Sequence, residues 1–118
     1  WSSKDPNVLV EMYADNAVRR DTLFTESQDG QTAIRTSAES FFAEYPDAHW
    51  TPMQIFSERA IRNKPWTVGS SYTIEVTDTS GHTCEVKAVV LLHVLEGKII
   101  QEDLYYEPES LIRCGWAQ

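Results

Sequence analysis

At Pro46 the hydrophobic period of this chain changes from that of a helix to that of a strand, and the change fixes the class of fold. Before it, apolar residues recur three and four apart; beyond it they alternate. From Trp66 onward, Val68, Ser70, Tyr72, Ile74 and Val76 share one face, while Gly69, Ser71, Thr73, Glu75 and Thr77 share the other. Asp78-Thr79-Ser80-Gly81 is a hairpin turn, its glycine free to take positive φ. The next strand, roughly 83–95, places Val86, Ala88, Val90, Leu92 and Val94 on one face. Its other face, Lys87, Val89, Leu91, His93 and Leu95, is too apolar for open water. Glu96-Gly97 turns the chain again, and 98–107 is the last strand, ended by Pro108. Helices first and an antiparallel meander after them spell α+β, with helices packed against one face of a curved sheet.

The first half supplies those helices. Asp5-Pro6-Asn7 reads as a helix start, with Asp5 capping free amides and Pro6 at the first helical position. Val8, Leu9, Met12 and Tyr13 then fall at helical spacing and predict one buried stripe, ended by Asp15-Asn16. Residues 17–25 read as a short strand. The loop from Glu26 to Gly30 leads into a helix from about Thr32 to Glu44, with Ala33, Ile34, Ala38, Phe41 and Phe42 at helical spacing. Pro46 cuts it off, because proline has no amide to donate. Residues 48–57 and 59–62 are short extended pieces, and Asn63-Lys64-Pro65 is a turn or bulge.

Charge and cysteine content narrow the function classes. With 118 residues the chain is one globular domain with a single core. Ten basic against eighteen acidic residues leave a net charge of −8, which repels phosphate backbones and anionic membrane surfaces. Neither nucleic acid nor membrane is an expected partner, and no apolar run approaches the roughly 20 residues of a membrane span. Cys84 and Cys114 do not make a disulfide framework; free thiols in a reducing cytoplasm are the expectation, with one bridge the alternative that only geometry can decide. His49, His82 and His93 have no metal-like spacing, and no Gly-rich phosphate loop or Ser/His/Asp arrangement is legible, so no metal and no cofactor is expected. His49 enters a cavity only in one of the two registers open to its strand.

Two segments carry a family likeness. The first runs from Tyr13-Ala14-Asp15-Asn16-Ala17 through Asp21 and Gly30-Gln31-Thr32-Ala33-Ile34-Arg35 to Tyr45-Pro46-Asp47. The second is the strand entry Gly97-Lys98-Ile99-Ile100 with its ending Tyr105-Tyr106-Glu107-Pro108. Together they resemble the SnoaL-like polyketide cyclase and ketosteroid isomerase branch of the nuclear transport factor 2-like superfamily. The resemblance covers Trp1 to about Ser110 and implies a cone-shaped α+β barrel, its helices on the concave face of a curved, mainly antiparallel sheet around an apolar interior. It also implies a further helix ahead of Trp1, so that 1–118 is a single domain lacking the family's first helix.

The same resemblance places Asp21 where the isomerases carry their catalytic base. A carboxylate desolvated among apolar walls such as Val18, Leu23 and Phe24 is a stronger base than one in water. The alternative is a surface pairing of Asp21 with Arg19 or Arg20. On the last strand the resemblance turns Glu102, Leu104 and Tyr106 inward, making Glu102 a second interior carboxylate; the other register would point Asp103 inward instead. Trp50, Trp66, Tyr72 and Tyr106 are candidate walls, with Val90, Leu92 and Leu104 lining the cavity beside them. Phe41 and Phe42 are expected in the core. Where the isomerases place a protonated aspartate as oxyanion donor, this chain has Val90, and their tyrosine donor lies on the first helix.

Two functions follow as expectations. One is acid–base chemistry, of isomerase, lyase or cyclase type, on a small apolar carbonyl or polyketide-like ring, with Asp21 and Glu102 catalytic. The other is a noncatalytic module that binds hydrophobic ligands in the same hollow cone. Epoxide-hydrolase chemistry would need an arginine between two carboxylates, for which Arg59 and Arg62 are candidates. Val89, Leu91 and Leu95 need cover, either from a second copy across the outer sheet face, as the resemblance implies, or from the tail at Leu111, Ile112 and Trp116.

Overall fold

The computed structural model describes residues 5–23, 26–57, 66–77 and 80–116. Phe24, Arg59, Arg62, the extended piece 59–62, the Asn63-Lys64-Pro65 turn and the first half of the Asp78–Gly81 turn lie outside the described residues. In chain order the elements are α1 Pro6–Glu11, β1 Tyr13–Asp21, β2 Gln28–Asp29, α2 Gln31–Glu44, β3 His49–Ser57, β4 Trp66–Thr77, β5 Thr83–Leu95, β6 Lys98–Tyr106 and α3 Pro108–Arg113. The described strands form one sheet in the order β2-β1-β6-β5-β4-β3. It is curved and does not close, so the cone is open along its β2 and β3 edges. Among the described strands only β1 and β6 run parallel; every other described pair is antiparallel.

The N-terminal third departs from the helical reading. Asp5 caps α1 by accepting the Asn7 amide at 2.9 Å, and Pro6 follows as expected. The helix stops at Glu11, however, not at Asp15-Asn16. The Met12 carbonyl accepts the Ile99 amide at 2.8 Å, and Tyr13 already pairs with Ile99 in the ladder to β6. The strand read as 17–25 therefore begins at Tyr13 and ends at Asp21. A helix of fewer than two turns shows no long stripe: Leu9, Val10 and Tyr13 are buried, while Val8 and Met12 are exposed.

The second half follows its alternation. β4 and β5 pair in unbroken register from Trp66↔Val94 to Thr77↔Thr83. Ile74, Val76, Val86, Ala88 and Val90 are buried on the inner face, with Leu104 and Leu111 in the same cluster. Between β5 and β6, Glu96 and Gly97 have φ of 52° and 78°. Both central residues thus take the positive φ of a type I′ turn, whose twist matches that of the strands it joins. Phe41 and Phe42 of α2 pack over the same inner face, and Ile34 and Ala38 are fully buried.

Cys84 and Cys114 form a disulfide, contrary to the expectation of free thiols. α3 packs on the inner face beside β5 and brings the two Cα atoms to 5.6 Å, within the reach a disulfide needs and invisible in a separation of 30 residues. The cysteine argument for a reducing cytoplasm falls with it. Because Leu111 joins the inner core and Trp116 packs against it, the tail does not cover Val89, Leu91 and Leu95. On the outer face Val89 is 40% exposed, and Met53, Phe56, Leu95 and Tyr105 are exposed with it. The Phe56 ring lies over Gly69, where a Cβ would come within 2.2 Å of it. Among the described residues no helix is long and apolar enough to cross a membrane.

Candidate functional site

The site begins with the pleat of two neighbouring strands. β1 and β6 pair Arg19 with Glu102 and Asp21 with Leu104, so alternation turns Arg19, Asp21, Glu102, Leu104 and Tyr106 to the inner face together. Asp103 points to the other side, 3.9 Å from Arg20 Nε and accepting from Gln101 Nε2 at 2.9 Å.

A guanidinium lies at the centre. Arg19, 2% exposed, donates from Nε to Glu102 Oε1 at 3.0 Å and from Nη1 to Gln28 Oε1 at 2.8 Å. The same Nη1 stands 3.6 Å from Asp21 Oδ2. Tyr13 donates its hydroxyl to the second oxygen of Glu102 at 2.5 Å. Asp21 accepts from the Tyr106 hydroxyl at 2.8 Å on Oδ2 and from the Leu23 amide at 2.9 Å on Oδ1. Asp21 and Glu102 are 7% and 4% exposed, so two carboxylates share one cation almost out of water.

Burial and charge set the protonation of the donors. Burial alone would lower the pKa of Arg19, but Glu102, Tyr13 and Asp21 outweigh it and raise the value, so the side chain is always cationic. Burial also pushes the Tyr106 hydroxyl well above the ordinary tyrosine range, and the neighbouring Asp21 carboxylate pushes it further. Tyr106 is therefore a neutral hydrogen-bond donor throughout the physiological range.

Asp21, Arg19 and Tyr106 open onto a cavity of about 620 Å³. Phe41, Tyr45, Trp50 and Trp116 form its aromatic side. Their rings are in mutual contact: Phe41 lies 6.3 Å from Trp50 and 6.0 Å from Trp116, and Tyr45 lies 5.3 Å from Trp116. Thr36, Ser37 and Ser40 of α2 add hydroxyls. This volume falls in the range of small-molecule sites.

Of the residues expected to line this cavity, Asp21, Trp50 and Tyr106 do so. Val90 and Leu104 are buried in the core cluster and Leu92 packs against it, so their surfaces are taken up by packing and do not face the cavity. Tyr72 sets its ring against Trp50 at 5.8 Å and does not line the cavity either, while Trp66 is exposed. Glu102 is interior but stands behind Arg19, away from the cavity wall. Phe41 packs against the core cluster, as expected, and also lines the wall. His49 is exposed, opposite Glu75, and does not enter. Arg19 was read as a surface partner for Asp21; it is that partner, but buried. Residues two apart on a strand share a face, and that signal was available. Nothing comparable marks Tyr13 or Gln28.

A curved, unclosed α+β sheet with helices on its inner face over a cavity is the ketosteroid isomerase-like fold. The chain belongs to the SnoaL-like polyketide cyclase family, whose model matches residues 1–112. Solved structures agree on the fold. A ketosteroid isomerase-like protein from Catenulispora acidiphila, solved with trimethylamine, is 18% identical with a TM-score of 0.79, over 96% of this chain and 83% of that one. The epoxide hydrolase/cyclase-like enzyme SalBIII, of pyran ring formation in the polyether salinomycin, is 21% identical with a TM-score of 0.74, over 91% and 81%. TerC, co-crystallised with polyporic acid, is 13% identical with a TM-score of 0.77, over 95% and 86%. No curated protein matches the sequence.

Proposed function

We propose that this chain is an acid–base enzyme of cyclase, isomerase or lyase type, acting on a small carbonyl compound of polyketide-like ring character. The observation that carries this reading is Asp21: a nearly buried carboxylate on the cavity wall, held on both oxygens by Tyr106 and the Leu23 amide. Asp21 takes a proton from the carbon next to the carbonyl; the electron pair of that C–H bond becomes the enolate C=C bond, and the carbonyl π pair moves onto the oxygen. The developing negative charge needs donors. Val90 gives none, but the Arg19 guanidinium on the same wall supplies N–H groups, and the Tyr106 hydroxyl, whose one proton Asp21 accepts at rest, turns to the oxygen once Asp21 is protonated. Glu102 does not reach the cavity; it is a positioning residue that, with Tyr13, fixes the direction of Arg19. Arg19 stands between the two carboxylates Asp21 and Glu102. Family membership and a fold shared with an enzyme of pyran ring formation both favour ring-directed chemistry.

The test is deuterium wash-in. A panel of neutral cyclic ketones is incubated with the protein in D2O, and loss of the proton signal next to the carbonyl is followed by NMR. Exchange above the buffer rate is the expected result. Ketones that bind without exchanging would make the chain a binding module and overturn the acid–base reading.

A further inference from the structure

Trp116 is held in place by two independent devices. The first is the end of α3. The Gly115 amide donates to the Ile112 carbonyl at 3.1 Å and the Trp116 amide to the Leu111 carbonyl at 2.9 Å, while Gly115 has φ of 70°. This is the Schellman pattern, in which a left-handed residue after the helix turns the next side chain back onto the helix. Here it folds Trp116 over the core that contains Leu111. The second device is the disulfide, which ties Cys114 to Cys84 near the start of β5, two residues before Trp116. From that anchor the indole meets Phe41, Tyr45 and Tyr106 at 6.0, 5.3 and 6.2 Å and lines the cavity.

We infer that Trp116 is a ring-selecting wall of the cavity and that the Cys84–Cys114 disulfide positions it, so that reducing the disulfide weakens the binding of aromatic and polycyclic ligands. The inference rests on the cavity being the ligand site, as proposed above, but not on its acid–base chemistry. Three of the rings around Trp116 come from other elements: Phe41 from α2, Tyr45 from the turn after it, and Tyr106 from β6. A ligand ring sharing that cluster gains edge and stacking contacts only while the tail is docked. Reduction by a dithiol moves two electrons and two protons onto the sulfurs, leaving two thiols and the reagent's own disulfide. The helix-end hydrogen bonds then hold the tail alone, and the short α3 frays more readily.

The probe is prodan, a neutral naphthyl ketone whose fluorescence reports an apolar site. Prodan is titrated into oxidised protein, protein reduced with dithiothreitol, oxidised Trp116→Ala and reduced Trp116→Ala, with circular dichroism confirming the fold. Reduction and Trp116→Ala should each weaken binding about five- to tenfold. Reduction should add nothing further in Trp116→Ala, because both changes remove one interaction. Equal affinity of the oxidised and reduced wild type would overturn the inference. So would a reduction effect as large in Trp116→Ala as in the wild type, or an oxidised wild type that does not bind prodan. Should reduction unfold the chain, Gly115→Ala decides with the disulfide intact. A side chain is strained at that φ, so Trp116 should shift and affinity fall, whereas unchanged affinity overturns the inference. Oxidised protein that binds prodan but exchanges no protons contradicts only the acid–base reading.

Discussion

The Tyr106 hydroxyl and the Asp21 carboxylate meet at 2.8 Å across the parallel pair of β1 and β6. Asp21 pairs with Leu104, and Tyr106 lies two residues further along β6 on the same face. Donor and acceptor are thus fixed by backbone register, with little left to side-chain freedom.

That contact predicts a pH signature. The folded-state pKa of Tyr106 is raised above the ordinary value of 10.0, first by burial and then by Asp21. Above that value the native state keeps the proton while the unfolded state loses it, so this contribution to stability, intact at lower pH, is lost as pH rises. Thermal melts of wild type and Tyr106→Phe from about pH 8 to 11 should show the wild type's advantage shrinking with pH. A constant gap would contradict the assignment.

Arg19 should behave as a buried cation. Arg19→Met leaves Asp21 and Glu102 facing each other without a countercharge and should cost about 3–5 kcal/mol in urea denaturation at neutral pH. Adding Glu102→Gln should recover part of that loss. A cost below about 1 kcal/mol, as for a surface pair, would show that the guanidinium is not buried as described.

The meander was legible because alternation from Val68 to Val76 and from Val86 to Val94 is a local signal, and the Glu96-Gly97 turn adds its own. The start of β1 was not. Tyr13-Ala14-Asp15-Asn16 carries no alternation, and its strand state depends on Ile99 far along the chain. Asp21 and Glu102 could be placed inside by resemblance, yet which of them meets the cavity depends on Arg19 lying between the cavity wall and Glu102. The cysteine pairing depends on where α3 docks, and composition alone pointed the wrong way. Val90, Leu92 and Leu104 have the right face, but Val90 and Leu104 are buried in the core and Leu92 packs against it, a difference of depth that alternation alone does not carry.

Assembly is a separate proposal. Val89, Leu95, Met53, Phe56 and Tyr105 form an exposed apolar outer face that the tail leaves open, and we propose that a second copy of the chain covers it. Each side chain buried there should contribute on the order of 1.5–3 kcal/mol. Sedimentation should give a dimer at micromolar concentration, and Val89→Lys should shift it toward monomer. A monomeric wild type would refute the proposal, and a dimer indifferent to Val89→Lys would place the interface elsewhere.

The central claim is that Asp21 moves a proton, and Asp21→Asn tests it most directly. Asparagine keeps the shape of the side chain: its Oδ1 can still accept from the Leu23 amide while its Nδ2 donates to the Tyr106 hydroxyl oxygen, but it is not a base. For a cyclic ketone exchanged by the wild type, the deuterium wash-in rate in Asp21→Asn should fall on the order of 10²- to 10⁴-fold. The ketone's Kd, measured on the same samples, should stay nearly unchanged. Wash-in that survives the substitution undiminished would contradict the account, whatever the ligand affinity.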